Sequence, residues 1–107
     1  MKEKDRQILL AIMNYIGSIT RTHTLFKNDK EIFLSNNDYQ YSIAFAILQI
    51  GELVGNLDIQ LKDKIQIKSL RNRIIHGYGS IDLDLLWEIS HKNIKELRDE
   101  IEQHVGL

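Results

Sequence analysis

Apolar residues recur along this chain at three- and four-residue spacing, the period of a helix with one buried face. Ile8, Ile12, Tyr15, Ile16 and Ile19 mark that face in a first helix, predicted over roughly Lys4–Leu25. From Phe26 to Asn37 a short turn of helix mixes with polar residues. Ser35, Asn36, Asn37 and Asp38 each offer an N-cap oxygen to a second long helix, predicted over roughly Asp38–Asn56. In it Ile43, Ala44, Phe45, Ala46, Ile47, Leu48, Ile50, Leu53 and Val54 cover most of the circumference. Asp38, Ser42, Gln49, Glu52 and Asn56 form a narrow polar stripe. A helix this apolar is central, or buries a second face against another subunit. Gly51 and Gly55 leave room for a second helix to approach.

A third helix is predicted over about Lys62–His76, with Ile67, Leu70 and Ile74 as its buried row, and Gly77 and Gly79 end it. A fourth opens at Asp82, a good N-cap, and runs through Leu85, Leu86 and Ile89 to a break expected at Ser90–Asn93. Its last part carries Ile94, Leu97, Ile101 and Val105 on one row. No stretch keeps the two-residue alternation of a strand. The expected fold is all-α: one domain over 1–107, an antiparallel bundle of four main helices with extra short ones.

The 107 residues suffice for a single core of modest stability, which a partner subunit would reinforce. There is no cysteine, which excludes disulfides and Cys-based zinc sites. His23, His76, His91 and His104 are widely spaced, so no metal cage within one chain is expected. The charged N-terminus and the absence of any apolar run near 20 residues point to no signal peptide, no membrane span and a cytoplasmic location. A net charge of −1 argues against a general nucleic-acid coat. The basic residues are unevenly placed, however. Lys62, Lys64, Lys68, Arg71 and Arg73 stand against the single acid Asp63, as suits one anion-docking site.

The same region concentrates chemistry. Within Arg71–Tyr78 lie a guanidinium, an amide (Asn72), an imidazole (His76) and a phenol, the last in a Gly-Tyr-Gly turn. If the third helix runs to His76, Asn72 and His76 share a face one turn apart. Spacing alone favours a plainer reading, in which Arg71 and His76 are cations at a helix C-terminus. Tyr78 alone reads as a packing residue. The stripe of Ser42, Gln49, Glu52 and Asn56 reads first as a solvated face, with a second reading in which Glu52 meets Arg71 or Arg73 across a cleft. Trp87 reads as a core or interface anchor, and His23, His91 and His104 as surface residues without a catalytic part. Lys62, Lys64 and Lys68 read first as plain surface charges.

Arg71, four residues, His76, Gly77 and Tyr78 resemble the R-x-x-x-x-H-x-Y signature of HEPN domains in the HepT toxin family. Ile50-Gly51-Glu52, Ile81-Asp82-Leu83-Asp84 and Trp87-Glu88 resemble the flanks of that pattern, and the likeness spans about Asp5 to Val105. The segment Lys64–Ser69 lacks the proline–tryptophan pair that many relatives carry. The resemblance implies a homodimeric, metal-independent endoribonuclease without a cofactor, acting on tRNA or mRNA, the toxin of a type VII HEPN/MNT toxin–antitoxin system. It implies Arg71 and His76 as catalytic residues; beside them Asn72, Tyr78 and Glu52 are the expected supporting residues, and Lys68 and Arg73, from the basic cluster, the expected RNA contacts. It implies an MNT-type nucleotidyltransferase antitoxin that transfers AMP to Tyr78. The alternative is a non-catalytic HEPN binding module that partners a nucleotidyltransferase.

Overall fold

The computed structural model describes residues 1–106. They form seven α-helices and no strand: α1 (Glu3–Leu25), α2 (Lys30–Ser35), α3 (Asn37–Gly55), α4 (Lys64–Lys68), α5 (Leu70–Ile74), α6 (Leu83–Glu88) and α7 (Ile94–Val105). A single π-helical turn over Ile89–Asn93 joins α6 to α7.

The helix α3 is the centre of the fold. Tyr39, Ile43, Ile47, Ile50 and Val54 are wholly buried along it, and the small Ala44 and Ala46 complete its inner face. Truncating a buried isoleucine in such a position typically costs about 2–5 kcal/mol. Of the four candidate caps, Asn36 is the one used: its side-chain oxygen accepts the Tyr39 N–H at 2.9 Å. Against α3 lies α1, burying Leu9, Ile12, Ile16 and Ile19. Ile8 and Tyr15, expected on that buried face, are only partly covered. Two polar residues of α1 are buried instead. The carboxylate of Asp5 accepts the N–H groups of Asp58 and Ile59 at 3.1 and 3.0 Å, pinning the loop after α3.

Two expected elements differ. The third helix is not continuous over Lys62–His76. It is two short pieces, α4 and α5, parted at Ser69 (φ −96°, ψ 7°), and it ends at Ile74. Its content of Ile65, Ile67, Ser69, Asn72 and Ile74 has weak helix propensity, because β-branched side chains lose rotamer freedom and short polar ones compete for backbone groups. Contact with α3 then sets the shape. A Cβ on Gly51 would sit 3.1 Å from the Ile67 carbonyl oxygen, so this glycine admits the backbone of α4, as expected of it, whereas Gly55 faces open space. The fourth helix, conversely, does not break at Ser90–Asn93. The residues flanking the π turn, Glu88 and Ile94, keep right-handed helical angles, so α6 and α7 form one rod widened by a turn.

That wider turn belongs to a buried polar network, which overturns the surface reading of His23. This residue is 6% exposed. Its Nδ1 meets the Tyr39 hydroxyl and its Nε2 lies 2.9 Å from Ser90 Oγ. His91 stacks on it with ring centroids 4.1 Å apart, and is held by the Trp87 carbonyl (2.8 Å) and the Asn28 side chain (2.6 Å). Two histidines far apart in sequence are thus neighbours in space. Trp87 packs against His23, Phe33, Tyr39 and His91, which places it on the core of its own chain.

The outer face of α3 is less polar than its stripe suggested. Tyr41, Phe45, Leu48 and Glu52 fall within an arc of about 60° on the helix. Tyr41 and Phe45 are each 58% exposed. Phe45 meets Tyr15 of α1 edge-on, at 6.2 Å between centroids.

Candidate functional site

Leu70 and Ile74 are buried and fasten α5 to the core, so the residues between them, Arg71, Asn72 and Arg73, point their side chains to solvent. Beyond Ile74 the chain leaves the helix. Ile75 and Ile81 form an isolated antiparallel bridge, the His76 N–H donates to the Ser80 carbonyl at 2.7 Å, and the Asp82 N–H donates to the Ile74 carbonyl at 2.8 Å. These bonds close a tight hairpin around Gly77-Tyr78-Gly79. Two successive residues at its tip take left-handed angles, Tyr78 at φ 64° and Gly79 at φ 73°. Glycine adopts that conformation freely; tyrosine does so at a cost of about 1–2 kcal/mol. The tip throws the Tyr78 side chain wholly into solvent, so the packing reading of this residue is overturned.

His76 therefore does not sit one helical turn above Asn72. Its backbone is extended (φ −105°, ψ −173°), because the glycine-flanked turn draws its N–H to Ser80 rather than back into a helix. The helix C-terminal reading of His76 falls with it. The imidazole meets a different residue: Nε2 lies 3.5 Å from Asp82 Oδ2, with the His76 side chain 55% and the Asp82 side chain 38% exposed. Asp82 also caps α6, its Oδ1 accepting the Leu85 N–H at 3.0 Å. The Leu85 N–H holds the Asp82 carboxyl below the usual carboxylate range; partial burial opposes this, and His76 adds to the lowering. Sequence reasoning identified Asp82 as a cap and missed it as the partner of His76. Its signal was the hydrophobic-turn-cap spacing, six residues after His76.

Asn72 and Glu52 do come together. With Lys68, Ser69, Gly51 and Asn56 they line an open concavity of about 320 Å³ between α3 and the α4–α5 corner. Glu52 makes no ion pair with Arg71 or Arg73 among the described residues. The basic cluster also divides. The Lys64 ammonium is turned inward onto the carbonyls of Leu57 and Ile59, and serves the loop. Lys62 lies beside Glu96, Asp99 and Glu100 on another face. Lys68, Arg71 and Arg73 remain as exposed cations near the motif.

A second cavity, of about 290 Å³, lies between α1 and the α6–α7 rod, lined by His23, Asn28, His91, Lys95 and Arg98 among others. No residue of the Arg71–Tyr78 segment lines it. No group of three or more potential metal-ligating His, Asp or Glu side chains occurs among the described residues. No helix among them is long and apolar enough to cross a membrane.

Arg71, Asn72, His76 and Tyr78 are thus all exposed on a segment fastened by the buried Leu70 and Ile74, with Asp82 beside the imidazole and Glu52 sharing the concavity of Asn72. Such a set suits a polyanion whose phosphate is gripped by a guanidinium and whose proton is moved by an imidazole.

The chain is similar to several proteins of Methanocaldococcus jannaschii. One named "Putative RNase MJ0125" is 26% identical over 96% of this chain and 93% of its own length. A second, "Putative RNase MJ1216", is 25% identical over 96% of this chain and 89% of its own length. A third, "Gamma-glutamylcyclotransferase and putative RNase MJ0434", is 28% identical over 92% of this chain, which spans 46% of that longer protein. No solved structure matches. The family model described as Ribonuclease HepT-like matches residues 15–104, a span that contains α3, the motif hairpin and its flanks. The chain belongs to the Ribonuclease HepT-like family.

Proposed function

We propose that this protein is a metal-independent endoribonuclease of the toxin type, acting as a homodimer whose two Arg71–Tyr78 segments face one cleft. The observation that carries this reading is the disposition of that segment. Its apolar members, Leu70 and Ile74, are fixed in the core, while Arg71, Asn72, His76 and Tyr78 are all exposed and His76 has a carboxylate at its back. Family membership and the names of the relatives support the same reading.

The chemistry is internal transesterification of RNA. One His76 takes the proton of a ribose 2′-hydroxyl, and the oxygen attacks the adjacent phosphorus. The bond from phosphorus to the 5′-oxygen breaks, and that oxygen takes a proton from the protonated His76 of the partner subunit. Arg71 binds the phosphate and offsets the negative charge that grows in the transition state. Asn72 donates to a phosphate oxygen, and Lys68 and Arg73 hold flanking phosphates. Glu52 shares the concavity with Asn72 and bounds the cleft on the α3 side. One chain supplies one such imidazole, so two proton transfers at once call for two chains. The exposed Tyr41 and Phe45 on α3, with the half-buried Leu48 beside them on the way to Glu52, form an apolar face of the kind a second copy covers. The test is cleavage of RNA in excess chelator. The expected products carry a 2′,3′-cyclic phosphate and a 5′-hydroxyl; a strict requirement for added divalent metal overturns the mechanism.

The regulatory part of the proposal is transfer of AMP to Tyr78 by an MNT-type nucleotidyltransferase antitoxin. The support is steric: the phenol stands at the tip of a hairpin with its whole ring in solvent, open to another enzyme's active site. AMP there would add bulk and negative charge where RNA phosphate has to sit. Co-expression with such a partner is expected to raise the mass of the chain by whole AMP units and abolish cleavage. The Tyr78→Phe form should gain no mass, and modification persisting in it refutes the assignment. A binding-only module remains the competing reading, favoured by the net charge of −1. It predicts no product at any protein concentration.

A further inference from the structure

We propose that Asp82 is a positioning residue that selects the Nε2–H tautomer of His76, so that Nδ1 is the nitrogen that exchanges protons with RNA. The proposal rests on the ribonuclease reading above for its functional consequence, but not for its structural content.

The two oxygens of Asp82 have separate tasks. Oδ1 accepts the Leu85 N–H at 3.0 Å and thereby starts α6. Oδ2 faces His76 Nε2 at 3.5 Å. An ionised carboxylate only accepts, so the nitrogen facing it carries hydrogen. In the neutral ring the other nitrogen then holds the lone pair, and no hydrogen bond engages His76 Nδ1 among the described residues. The 3.5 Å separation is long for a hydrogen bond; contacts at catalytic groups tighten when substrate binds. The carboxylate itself is well fixed. The Asp82 N–H is bonded to the Ile74 carbonyl, and the Ile75–Ile81 bridge ties the two sides of the hairpin together. His76 and Asp82 are therefore held in register by backbone bonds rather than by side-chain packing. The same carboxylate stabilises the imidazolium once Nδ1 has taken a proton, as a buried aspartate does for the histidine of a catalytic triad.

This arrangement makes Asp82→Asn an informative change. Asparagine is as good an N-cap as aspartate, so α6 should persist. Its single oxygen, however, is engaged by the Leu85 N–H, which leaves the amide NH₂ facing His76. That group donates, so it favours a lone pair on Nε2 and moves the hydrogen to Nδ1. The measurement is long-range ¹H–¹⁵N NMR of the His76 ring in the parent and the Asp82→Asn protein at a pH where the ring is neutral. The expected result is a pyridine-type Nδ1 in the parent and a pyridine-type Nε2 in the variant, with unchanged helical circular dichroism. RNA cleavage by the variant should fall by about 10²-fold or more through the wrong tautomer. Asp82→Ser, which keeps a cap but reaches less far, should return the ring to the tautomer mixture of a solvated imidazole, with less Nε2–H than the parent and without reversal. Hydrogen on Nδ1 in the parent, or the same tautomer in all three proteins, overturns the proposal. If the tautomers behave as expected and no form cuts RNA, the positioning role stands and the ribonuclease reading fails instead.

Discussion

The His76→Ala protein is expected to cut RNA about 10²- to 10⁴-fold more slowly than the parent, the range a positioned acid–base group supplies. Its folding should be almost unaffected. The imidazole is 55% exposed, and its one polar side-chain partner among the described residues is Asp82 at 3.5 Å. Exposed ion pairs of this kind contribute about 0–1 kcal/mol. The large effect on rate beside a small effect on melting is what separates chemistry from structure here. Arg71→Ala should behave likewise, since Arg71 is exposed and makes no ion pair among the described residues. Gel or fluorescence assays of RNA cleavage, run with thermal melts of the same preparations, decide the matter. Equal cleavage by His76→Ala and parent would remove the imidazole from the mechanism. If both residues act on one transition state, the double variant should lose little more than either single one. In a heterodimer of Arg71→Ala and His76→Ala chains, recovery or loss of cleavage would report which groups each subunit contributes.

The second large effect is on stability, and it arises far from the motif. Burial drives the His23 imidazole down from its ordinary value of 6.5 to about 4, and the neighbouring His91 pushes in the same direction. The folded chain thus resists a proton that the unfolded chain accepts near pH 6.5. Stability from this residue is whole above that pH and is lost progressively as pH falls toward 4. A shift of this size corresponds to about 3 kcal/mol. That is a large share of the total stability of a domain this size, about 5–15 kcal/mol. A drop in melting temperature on the order of 10–20 °C is expected across that interval.

The groups around His23 allow no escape. Tyr39, on its Nδ1, is pushed up to about 12 by burial and by Asp29, so it stays a neutral phenol throughout. Ser90, on its Nε2, does not titrate, and the neighbouring His91 disfavours a positive charge on the ring. The depressed carboxyls of Asp5 and Asp82 act in another window. Their stabilising effect is present above their ordinary value of 3.8 and is lost only below it. Thermal or urea melts at intervals from pH 7.5 to 4, on the parent and on His23→Gln, test the assignment. The variant should start less stable and show a flatter profile between pH 6.5 and 4. Parallel profiles would mean that His23 is not the group responsible.

Some features were legible in the residues because they are local. The periods of Ile12, Ile16 and Ile19 and of Ile43, Ile47, Ile50 and Val54 specify two long amphipathic helices whose predicted boundaries agree with α1 and α3 within about two residues, and Ile94, Leu97 and Ile101 mark the buried row of α7. The Asp82 cap needs only its own side chain and the next turn, and it too was read correctly. The likeness of the Arg71–Tyr78 segment to a family signature was enough to name the family.

Other features depend on which surface a segment meets, and periodicity does not carry that. The third helix was too long in the reading because Lys62–Ile74 has helical spacing but poor propensity. Contact of the Ile67 carbonyl with Gly51 and the hairpin bonds of His76 and Asp82 outweighed the spacing. The loss of the Asn72–His76 face followed directly. His23 was placed on the surface because histidine is usually there; the partners that make its burial tolerable, Tyr39 and Ser90, stand 16 and 67 residues away. The apolar circumference of α3 left two arrangements open, a central helix or one with a second face for another subunit; Phe45 is 58% exposed, with Tyr15 of α1 against it.

By itself, then, the order of residues determined the helical class, the long helices, the Asp82 cap and the chemical inventory of the motif, since all of these arise from interactions within a few turns of chain. Tertiary structure alone decided that His76 leaves the helix to face Asp82, that Lys64 turns inward, and that His23 is buried beside His91. Each of those outcomes is a competition between backbone or solvent and a partner distant in sequence, and only the assembled core brings the partner within reach.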